Sequence, residues 1–254
     1  MTKIPRLEEL LEAGVHFGHQ ARRWNPKMKS NIFSQQSGIH VIDLEKTAAQ
    51  LKAASEFIKG TASRGGIVLF LATKRQAAEI VKAESQRVGA MYLTKRWLGG
   101  LLTNFDSVKK TIEKASILEE KLKTAESSGF TKKEQLLMRR DLDKLNRLLG
   151  GIRALSKLPD CLFIVDARKE DNAVAEANKM GVPTVALVDT NGDPTKITYP
   201  IAANDDAIKS ISILVKTIAD AYEEGKQVFE KKTAEKVEVE SETKKQTELV
   251  AESK

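Results

Sequence analysis

Ile67-Val68-Leu69-Phe70-Leu71 is the stretch of sequence that decides the fold. A continuous apolar run of this length is typical of a strand that is covered by helices on both faces, as in a parallel sheet. Leu162-Phe163-Ile164-Val165 repeats the pattern further along the chain, and residues 184–188 form a third run of the same kind. The sequence therefore predicts a buried parallel sheet that contains these three strands.

Helices are predicted to alternate with the strands. Thr73-x-x-Gln76 and Thr131-x-x-Glu134 are capping boxes, each of which opens a helix, and another helix covers residues 172–180. A short strand near Ile201 and a closing amphipathic helix over residues 205–227 complete the order. This alternation indicates a doubly wound α/β domain with a mostly parallel sheet, of the flavodoxin or Rossmann type.

Residues 1–43 form an N-terminal extension to this domain. Residues 7–13 are predicted to form a short amphipathic helix that Gly14 stops. β-branched and aromatic residues on both sides of Gly38 predict a small hairpin. Asp43 then caps a helix that runs to about residue 59.

Residues 106–150 do not fit the alternation of strands and helices. Apolar residues step by 4, 3, 3 and 4 from Val108 to Leu122, and by 4, 3 and 4 from Met138 to Leu149. These steps, with a break at Ser127-Ser128-Gly129 between them, predict an antiparallel coiled-coil helical hairpin. Each arm of about 20 residues would reach roughly 30 Å.

The sequence is therefore divided into three parts. Residues 1–105 and 151–229 are assigned to the α/β domain, and residues 106–150 to the inserted hairpin. The tail at residues 230–254 is rich in Lys, Glu and Thr and has almost no large apolar residues, which predicts disorder.

Composition excludes several classes of protein. A single cysteine, Cys161, excludes an internal disulfide and a four-cysteine metal cluster, and its place at the start of a buried strand indicates a core residue. No apolar run approaches the roughly 18 residues of a membrane-spanning helix. The N-terminus lacks the apolar stretch of a signal peptide, so we expect a cytoplasmic protein that does not contact membranes.

The charge of the chain is unevenly distributed. The formal net charge is +7, but residues 1–153 carry 28 Lys and Arg against 16 Asp and Glu, a net +12. Residues 154–229 carry 8 against 12, a net −4. A basic half joined to a mildly acidic half indicates a polyanionic partner that one part of the molecule contacts.

Two segments of the basic half contain no acidic residue. Residues 13–42 contain four Lys and Arg, three histidines and Trp24, and residues 85–105 contain Arg87, Lys95, Arg96 and Trp97. A phosphate-facing surface needs such gaps, because a nearby carboxylate would repel the nucleic-acid backbone. The alternative is a basic surface without a function.

Signals of catalysis are absent. No Gly-x-Gly-x-x-Gly follows a strand, and neither a phosphate-binding Gly-x4-Gly-Lys-Ser/Thr loop nor a Gly-x-Ser-x-Gly elbow occurs. His16 and His19 are three residues apart, and Asp189 and Asp205 fall at predicted strand ends, so a divalent ion gathered by these residues is the alternative. No third metal ligand lies near the two histidines in the sequence, which favours packing or an RNA contact. We therefore expect no catalytic residue, no cofactor and no metal site.

Cations near two strand ends indicate where an anion could bind. Lys74 and Arg75 fall in the first turn of a predicted helix, where the helix dipole disfavours a cation unless an anion is present. Salt bridges to nearby acids are the alternative. That alternative is stronger for Arg168 and Lys169, which have three acidic neighbours in the sequence, than for Lys74 and Arg75.

Trp24 and Trp97 each follow an arginine in an acid-free segment. Such a tryptophan either stacks on an unpaired base or pins its loop to the core. The sequence does not distinguish these two roles.

Three motifs resemble the bacterial form of the small-subunit ribosomal protein two family. Gly14-Val15-His16-Phe17-Gly18-His19, which runs into Trp24-Asn25-Pro26-Lys27-Met28, resembles the opening of that family. Lys95-Arg96-Trp97-Leu98-Gly99-Gly100-Leu101-Leu102-Thr103-Asn104 resembles its segment before the helical hairpin. Pro159-x-x-Leu162-Phe163-Ile164-Val165-Asp166, continuing through Glu170, Val174 and Glu176 to Gly181-Val182-Pro183, resembles a third segment of that family. The resemblance covers residues 5–227.

The resemblance implies a three-layer α/β domain with a protruding coiled coil. It implies a structural constituent of the small ribosomal subunit that is bound to small-subunit ribosomal RNA. It also implies contact with neighbouring ribosomal proteins and help in holding the largest one, which binds messenger RNA. The alternative function is a nucleotide- or phosphometabolite-binding enzyme on the same fold, with a pocket near Lys74 and Arg75.

The candidate RNA-binding residues come from three sources. The resemblance implies the basic residues of the two acid-free segments, with the two tryptophans beside them: Arg22, Arg23, Trp24, Lys27, Lys29, Lys95, Arg96 and Trp97. The argument from the helix terminus adds Lys74 and Arg75. The hairpin adds Lys109, Lys110, Lys114, Lys132, Lys133, Arg139 and Arg140, with a solvated face without a partner as the alternative, because residues 104–153 carry 8 acids against 12 basic residues.

Overall fold

A computed structural model of the chain describes residues 3–124 and 130–252, with side chains described up to residue 234. The N-terminal extension contains the helix α1 (Leu7–Glu12) and three short strands, β1 (Phe17–Gln20), β2 (Ile32–Gln36) and β3 (Ile39–Ile42). The strands form an antiparallel sheet in the order β1-β3-β2. The predicted hairpin around Gly38 is β2 and β3, and β1 adds a strand that the sequence analysis did not predict.

A five-stranded parallel sheet forms the centre of the molecule. Its strands are β4 (Val68–Leu71), β5 (Met91–Leu93), β6 (Cys161–Val165), β7 (Thr184–Val188) and β8 (Tyr199–Ala202). They lie in the order β5-β4-β6-β7-β8, and every neighbouring pair is parallel. This is the flavodoxin-type order, in which the chain reverses its direction of winding between β4 and β6. The predicted doubly wound α/β fold is confirmed.

Helices cover both faces of this sheet. The chain adds α2 (Leu44–Ala62), α3 (Arg75–Val88), α4 (Phe105–Lys123), α5 (Lys132–Leu149), α6 (Asp171–Met180) and α7 (Ile208–Glu252). Successive side chains of a strand point to opposite faces, so both faces of β4 and β6 must be covered. Phe70 and Phe163 contact α2, α3 and α7 on one face, whereas Leu69 and Leu162 belong to the cluster with α6 and the base of α4 and α5.

The inserted segment consists of two helices that pack against each other, α4 and α5. Val108, Ile112 and Ala115 of the predicted apolar seam are buried, and Leu149 of α5 is buried at the same end of the pair, where Val108 and Ile112 belong to one cluster with it. The predicted break at residues 127–129 lies outside the described residues. A coiled-coil geometry and the exact domain boundaries stay predictions.

The two predicted capping boxes have different outcomes. Thr131 caps α5 as predicted, because its hydroxyl accepts from the Glu134 N–H while the Glu134 carboxylate accepts from the Thr131 N–H. The capping box at Thr73 is wrong, since α3 begins one residue later with Lys74 in the capping position. The Thr73 hydroxyl instead donates to the Glu170 carboxylate of the neighbouring loop. A tertiary partner has replaced the local one.

The last helix is much longer than the sequence predicts. α7 continues as a helical backbone to Glu252, through most of the tail that was predicted to be disordered. The tail is rich in Lys and Glu, and both residues have a high intrinsic helix propensity. Residues 230–234 are exposed, so these residues of the extension do not pack against the sheet.

Candidate nucleic-acid interface

The loops that follow the five parallel strands meet at one edge of the sheet, the carboxyl edge. Ligands of doubly wound folds dock at this edge. The N-terminal extension folds onto part of it, since the Asn25 N–H donates to the Thr190 carbonyl at 2.7 Å and the His19 N–H donates to the Thr190 hydroxyl at 2.9 Å. Gly18 allows this approach, because a Cβ there would lie 2.6 Å from the Thr190 methyl group. The extension thereby brings the first acid-free segment to the carboxyl edge.

The first acid-free segment presents three cations to solvent. Arg22, Arg23 and Lys29 are exposed, and none of them forms an ion pair with a residue that the structure describes. Lys27 differs, because its ammonium lies 2.7 Å from the Asp193 carboxylate and donates to the Thr195 hydroxyl at 3.1 Å. Three of the four predicted cations are therefore free to neutralise a phosphate, and Lys27 serves partly to hold the segment on the turn after β7.

Trp24 lies half-buried behind these cations. Its ring is 5.2 Å from the ring of His40, and the two planes are tilted by 43°. His40 is buried, and neither of its ring nitrogens has a hydrogen-bond partner among the described residues. The sequence left two roles open for Trp24, pinning its segment to the core and stacking on a base. The contact with His40 pins the segment, and part of the ring remains exposed.

The second acid-free segment reaches the same edge where it continues beyond β5, at residues 94–105, whereas Arg87 near its start lies in α3 and forms ion pairs with acidic residues of α3 and α7. Lys95 and Arg96 are exposed and form no ion pair in the described parts of the chain. Trp97 is buried, and its indole N–H donates to the Glu176 carboxylate at 3.0 Å. Trp97 therefore pins the loop to the core, and it is not available to stack on a base. Sequence reasoning noted Glu176 only as part of a motif and assigned it no role.

Lys74 is not available to an external anion, which corrects its assignment as an RNA contact. Its ammonium lies 2.7 Å from both Asp205 and Asp206 and 3.4 Å from Asp166. Burial lowers the pKa of Lys74, but hydrogen bonds and attraction to these carboxylates outweigh burial and raise it above its ordinary value. Arg75, the next residue, is exposed and unpaired within the described chain.

The salt bridges at the strand ends differ from the alternative that the sequence favoured. Salt bridges to acidic neighbours were the stronger alternative for Arg168 and Lys169, yet neither residue forms an ion pair with a described residue. The Lys169 ammonium donates to the Thr73 carbonyl at 3.2 Å. Asp166 instead faces Lys74 across the sheet edge. Proximity in sequence predicts ion pairs poorly where parallel strands bring distant loops together.

His19 joins the same group of carboxylates. Its Nδ1 lies 3.1 Å from Asp189 and its Nε2 lies 3.4 Å from Asp206. The hydrogen bond to Asp189 raises the pKa of His19 despite its burial. Burial, together with repulsion by Asp189 and Asp166, raises the pKa of Asp205 to about 7. The ligand atoms of His19, Asp205 and Asp206 all lie within 4.8 Å of one another, the spacing of a cation site, but Lys74 already supplies positive charge there.

The cations predicted on the hairpin are all exposed. None of them forms an ion pair with a described residue, and they are Lys109, Lys110, Lys114, Lys132, Lys133, Arg139 and Arg140. In contrast, Glu119 of α4 is paired with both Lys123 and Arg153. The hairpin therefore carries a second set of free cations, separate from the two segments at the sheet edge.

A cavity of about 550 Å³ lies between α3, β5 and the base of α5. Lys95 lines it together with Lys82 and Arg147, two cations that the sequence analysis did not select. Glu79 and Asp143 also line it, so the charge of this cavity is mixed. Only the topology places Lys82 and Arg147 beside the second acid-free segment, and no local sequence pattern would have identified them.

Comparison with known proteins agrees with this geometry. Residues 10–225 match the family described as Ribosomal protein S2. The chain is 49% identical over 226 residues to the small ribosomal subunit protein uS2 of Thermobifida fusca (strain YX), covering 89% of this chain and 77% of that protein.

Two further relatives have the same name. The protein of Mycobacterium leprae (strain TN) is 51% identical over 225 residues, which are 89% of this chain and 81% of the relative. The protein of Dictyoglomus thermophilum is 50% identical over 225 residues, which are 89% of this chain and 92% of the relative. No helix in the described part of the chain is long and apolar enough to cross a membrane.

Proposed function

The chain belongs to the ribosomal protein S2 family, and from this premise we propose that it binds small-subunit ribosomal RNA through the two acid-free segments at the carboxyl edge of its sheet. A member of this family is a structural constituent of the small ribosomal subunit and not an enzyme. It acts in translation, associated with the RNA and proteins of that subunit, and its place is on the ribosome in the cytoplasm.

One observation carries the proposed RNA contact. The two acid-free segments are separated in sequence by residues 43–84, yet the first segment and the part of the second that follows β5 both lie at the carboxyl edge. Together they present Arg22, Arg23, Lys29, Lys95 and Arg96 without ion-pair partners among the described residues. Cations that are free in the isolated protein gain the most from a phosphate, because no internal salt bridge has to be broken and counterions are released from the RNA.

The hairpin is proposed as a second contact surface. Its free cations suit either RNA phosphates or an acidic protein surface, and its exposed apolar residues Ile117, Leu136 and Leu137 suit a neighbouring protein. We include among the proposed partners the neighbouring small-subunit proteins and the largest, messenger-binding one. This part of the proposal rests on the family resemblance rather than on a contact within the chain.

The alternative function, a nucleotide- or phosphometabolite-binding enzyme, is not supported. It required Lys74 to be free at the carboxyl edge, and Lys74 is instead held by three carboxylates. Asp166, Asp205 and Asp206 would also repel a phosphate at that point. The family is structural and non-enzymatic, in agreement with this geometry.

The proposal is tested with a triple variant, Arg22→Ala/Arg23→Ala/Lys29→Ala. We expect weaker binding to small-subunit ribosomal RNA and a salt dependence, log K against log salt, that flattens by roughly one unit of slope for each lost phosphate contact. Reduced co-sedimentation with the small subunit in sucrose gradients at high salt should accompany it.

The matched control is Lys179→Ala/Lys209→Ala/Lys216→Ala, which removes three exposed lysines from the acidic half of the chain. We expect this variant to retain the wild-type slope and to sediment with the small subunit. A folded Arg22/Arg23/Lys29 variant with an unchanged slope would contradict the assignment of the first segment.

A further inference from the structure

We propose that Glu176 is the positioning residue of the second RNA-binding segment, and that its carboxylate fixes the loop that presents Lys95 and Arg96. This inference rests on the proposed function, because it takes the loop to be an RNA contact. Glu176 lies on α6 and is half-buried, and it forms no ion pair with a residue that the structure describes.

A single carboxylate gathers five hydrogen bonds from the loop. Its Oε1 accepts from the Trp97 indole N–H at 3.0 Å and from the Gly100 N–H at 2.8 Å. Its Oε2 accepts from the Leu102 N–H at 3.1 Å, and from both the N–H and the hydroxyl of Thr103 at 3.3 Å. These donors belong to four residues between positions 97 and 103, so one side chain holds the loop directly after Lys95 and Arg96 at four points.

The charge of Glu176 is stabilised by dipoles and not by an ion pair. Burial raises the pKa of this carboxyl, but the hydrogen bonds from Trp97 and from the backbone of Gly100, Leu102 and Thr103 outweigh burial and lower it. Such hydrogen bonds to the charged form favour ionisation. Because the loop is held through its neutral N–H groups, the charges of Lys95 and Arg96 are not used inside the protein and remain available to RNA.

The loop needs such an anchor because its own sequence does not impose one conformation. Gly99 and Gly100 lie in its centre, and Gly100 has a φ of +85°, a value that glycine adopts without strain. Leu101 and Leu102 are buried beside Trp97, so the loop is already ordered before any partner arrives. A loop that is ordered in advance loses less conformational entropy on binding, and this raises its affinity for the partner.

The surroundings of Glu176 make a clean substitution feasible. Ala173, Val174 and Ala177 attach α6 to the core and are buried, whereas Glu176 faces the loop. Glu176→Gln retains the size of the side chain, but it replaces one acceptor oxygen by an NH₂ group. This group is itself a donor and cannot accept the hydrogen bonds that the N–H groups of the loop donate to that oxygen. The helix should therefore stay packed while the loop loses several of its five bonds.

The experiment compares Glu176→Gln with the control Asp171→Asn, which neutralises another carboxylate of the same helix that pairs with Lys196 at the surface. In Glu176→Gln we expect the amide hydrogens of Gly100, Leu102 and Thr103 to exchange about tenfold faster or more. We expect RNA affinity to fall by about tenfold with an unchanged salt slope, because Lys95 and Arg96 are still present. Asp171→Asn should change neither quantity.

A third variant, Lys95→Ala/Arg96→Ala, separates this inference from the proposed function. If that variant binds RNA with wild-type affinity and slope, the loop is not an RNA contact and the proposed function fails for this segment. A second outcome is that Lys95→Ala/Arg96→Ala weakens RNA binding and flattens the salt slope, while Glu176→Gln has the RNA affinity and the amide exchange rates of the wild type. That outcome overturns only the positioning role of Glu176. A third outcome is that Glu176→Gln loses RNA affinity only in proportion to a loss of global stability, with no faster amide exchange confined to the loop. That outcome overturns the positioning role as well.

Discussion

Lys74 shows how one residue is assigned differently from sequence and from structure. As the residue before a helix in a basic half, it looked like a phosphate ligand. Its side chain is only 13% exposed, and it is the cation that compensates three aspartates from two other loops. No local pattern contains this information, because Asp166 and Asp205 reach Lys74 only through the order of the parallel strands.

The compensation by Lys74 leads to a prediction for Lys74→Met. Removing one partner of a buried ion pair leaves uncompensated buried charge, so we expect the free energy of unfolding at pH 7 to fall by about 3–5 kcal/mol. The loss should shrink at lower pH, since Asp205 becomes protonated and no longer needs a counterion. Denaturant titrations at pH 7 and pH 5 measure both effects.

The control for this prediction is the adjacent exposed cation. Arg75→Met should change the free energy of unfolding by no more than about 0.5 kcal/mol, as surface substitutions usually do. Equal losses in the two variants would show that Lys74 is not a structural cation.

At the scale of elements, the hairpin returns to the sheet through a close contact between backbones. The turn after α5 packs on the edge strand β5, and a Cβ at Gly151 would lie 2.1 Å from the Tyr92 carbonyl oxygen. A Cβ at Gly150 would have no heavy atom within 4 Å, and this residue has ordinary right-handed helical angles. The two adjacent glycines therefore have different reasons to be present.

We predict opposite effects for alanine at these two positions. Gly151→Ala should lower the free energy of unfolding by about 1–3 kcal/mol, because it forces the turn away from β5. Gly150→Ala should be neutral or stabilising by up to about 1 kcal/mol, because it restricts the unfolded chain without a clash. Thermal or denaturant unfolding of the two single variants decides the matter, and a similar loss in both would contradict the close contact.

Periodicity in the sequence predicts these elements well where the whole element obeys one pattern. Residues 67–71 and 162–165 are apolar throughout, and both became central strands with two buried faces. Patterns of one or two residues are less reliable. Thr131 and Thr73 show the same capping motif, but only Thr131 lacks a tertiary partner that competes for its hydroxyl.

At the scale of the whole molecule, the sequence could locate the cationic segments but not their arrangement. The absence of acidic residues from residues 13–42 and 85–105 can be read directly from the amino-acid sequence. That both segments lie at the carboxyl edge depends on strand order, and that Lys27 is paired with Asp193 depends on how the extension folds back. The role of Glu176 could not be predicted for the same reason, since the five hydrogen bonds that it accepts come from a loop that precedes it by more than 70 residues.

The N-terminal extension folds onto the carboxyl edge of the sheet, and this contact makes the stability of the whole molecule dependent on pH. His19 of the extension and Asp205 of the sheet edge both have raised pKa values in the folded state, from ordinary values of 6.5 and 3.8. At these two groups the folded protein binds more protons than the unfolded chain, so their contribution to stability falls as pH rises. For Asp205 the fall extends from about pH 4 to its folded pKa of about 7, and for His19 it begins near 6.5 and ends above its raised folded value.

We expect this profile in the wild type and a flatter one in His19→Asn. The free energy of unfolding should decrease between pH 5.5 and pH 8, by at most about 1.4 kcal/mol per pH unit for each proton released. His19→Asn should remove the part of this decrease above about pH 7, where Asp205 no longer contributes, because the extension then carries no titrating partner for Asp189. His16→Asn is the opposing control. Burial lowers the pKa of His16, so the contribution of His16 to the free energy of unfolding increases as pH rises. Its removal should therefore steepen the decrease of this free energy with pH. Denaturant unfolding at four pH values measures all three proteins, and a wild-type profile in His19→Asn would show that the histidine does not link the extension to the sheet.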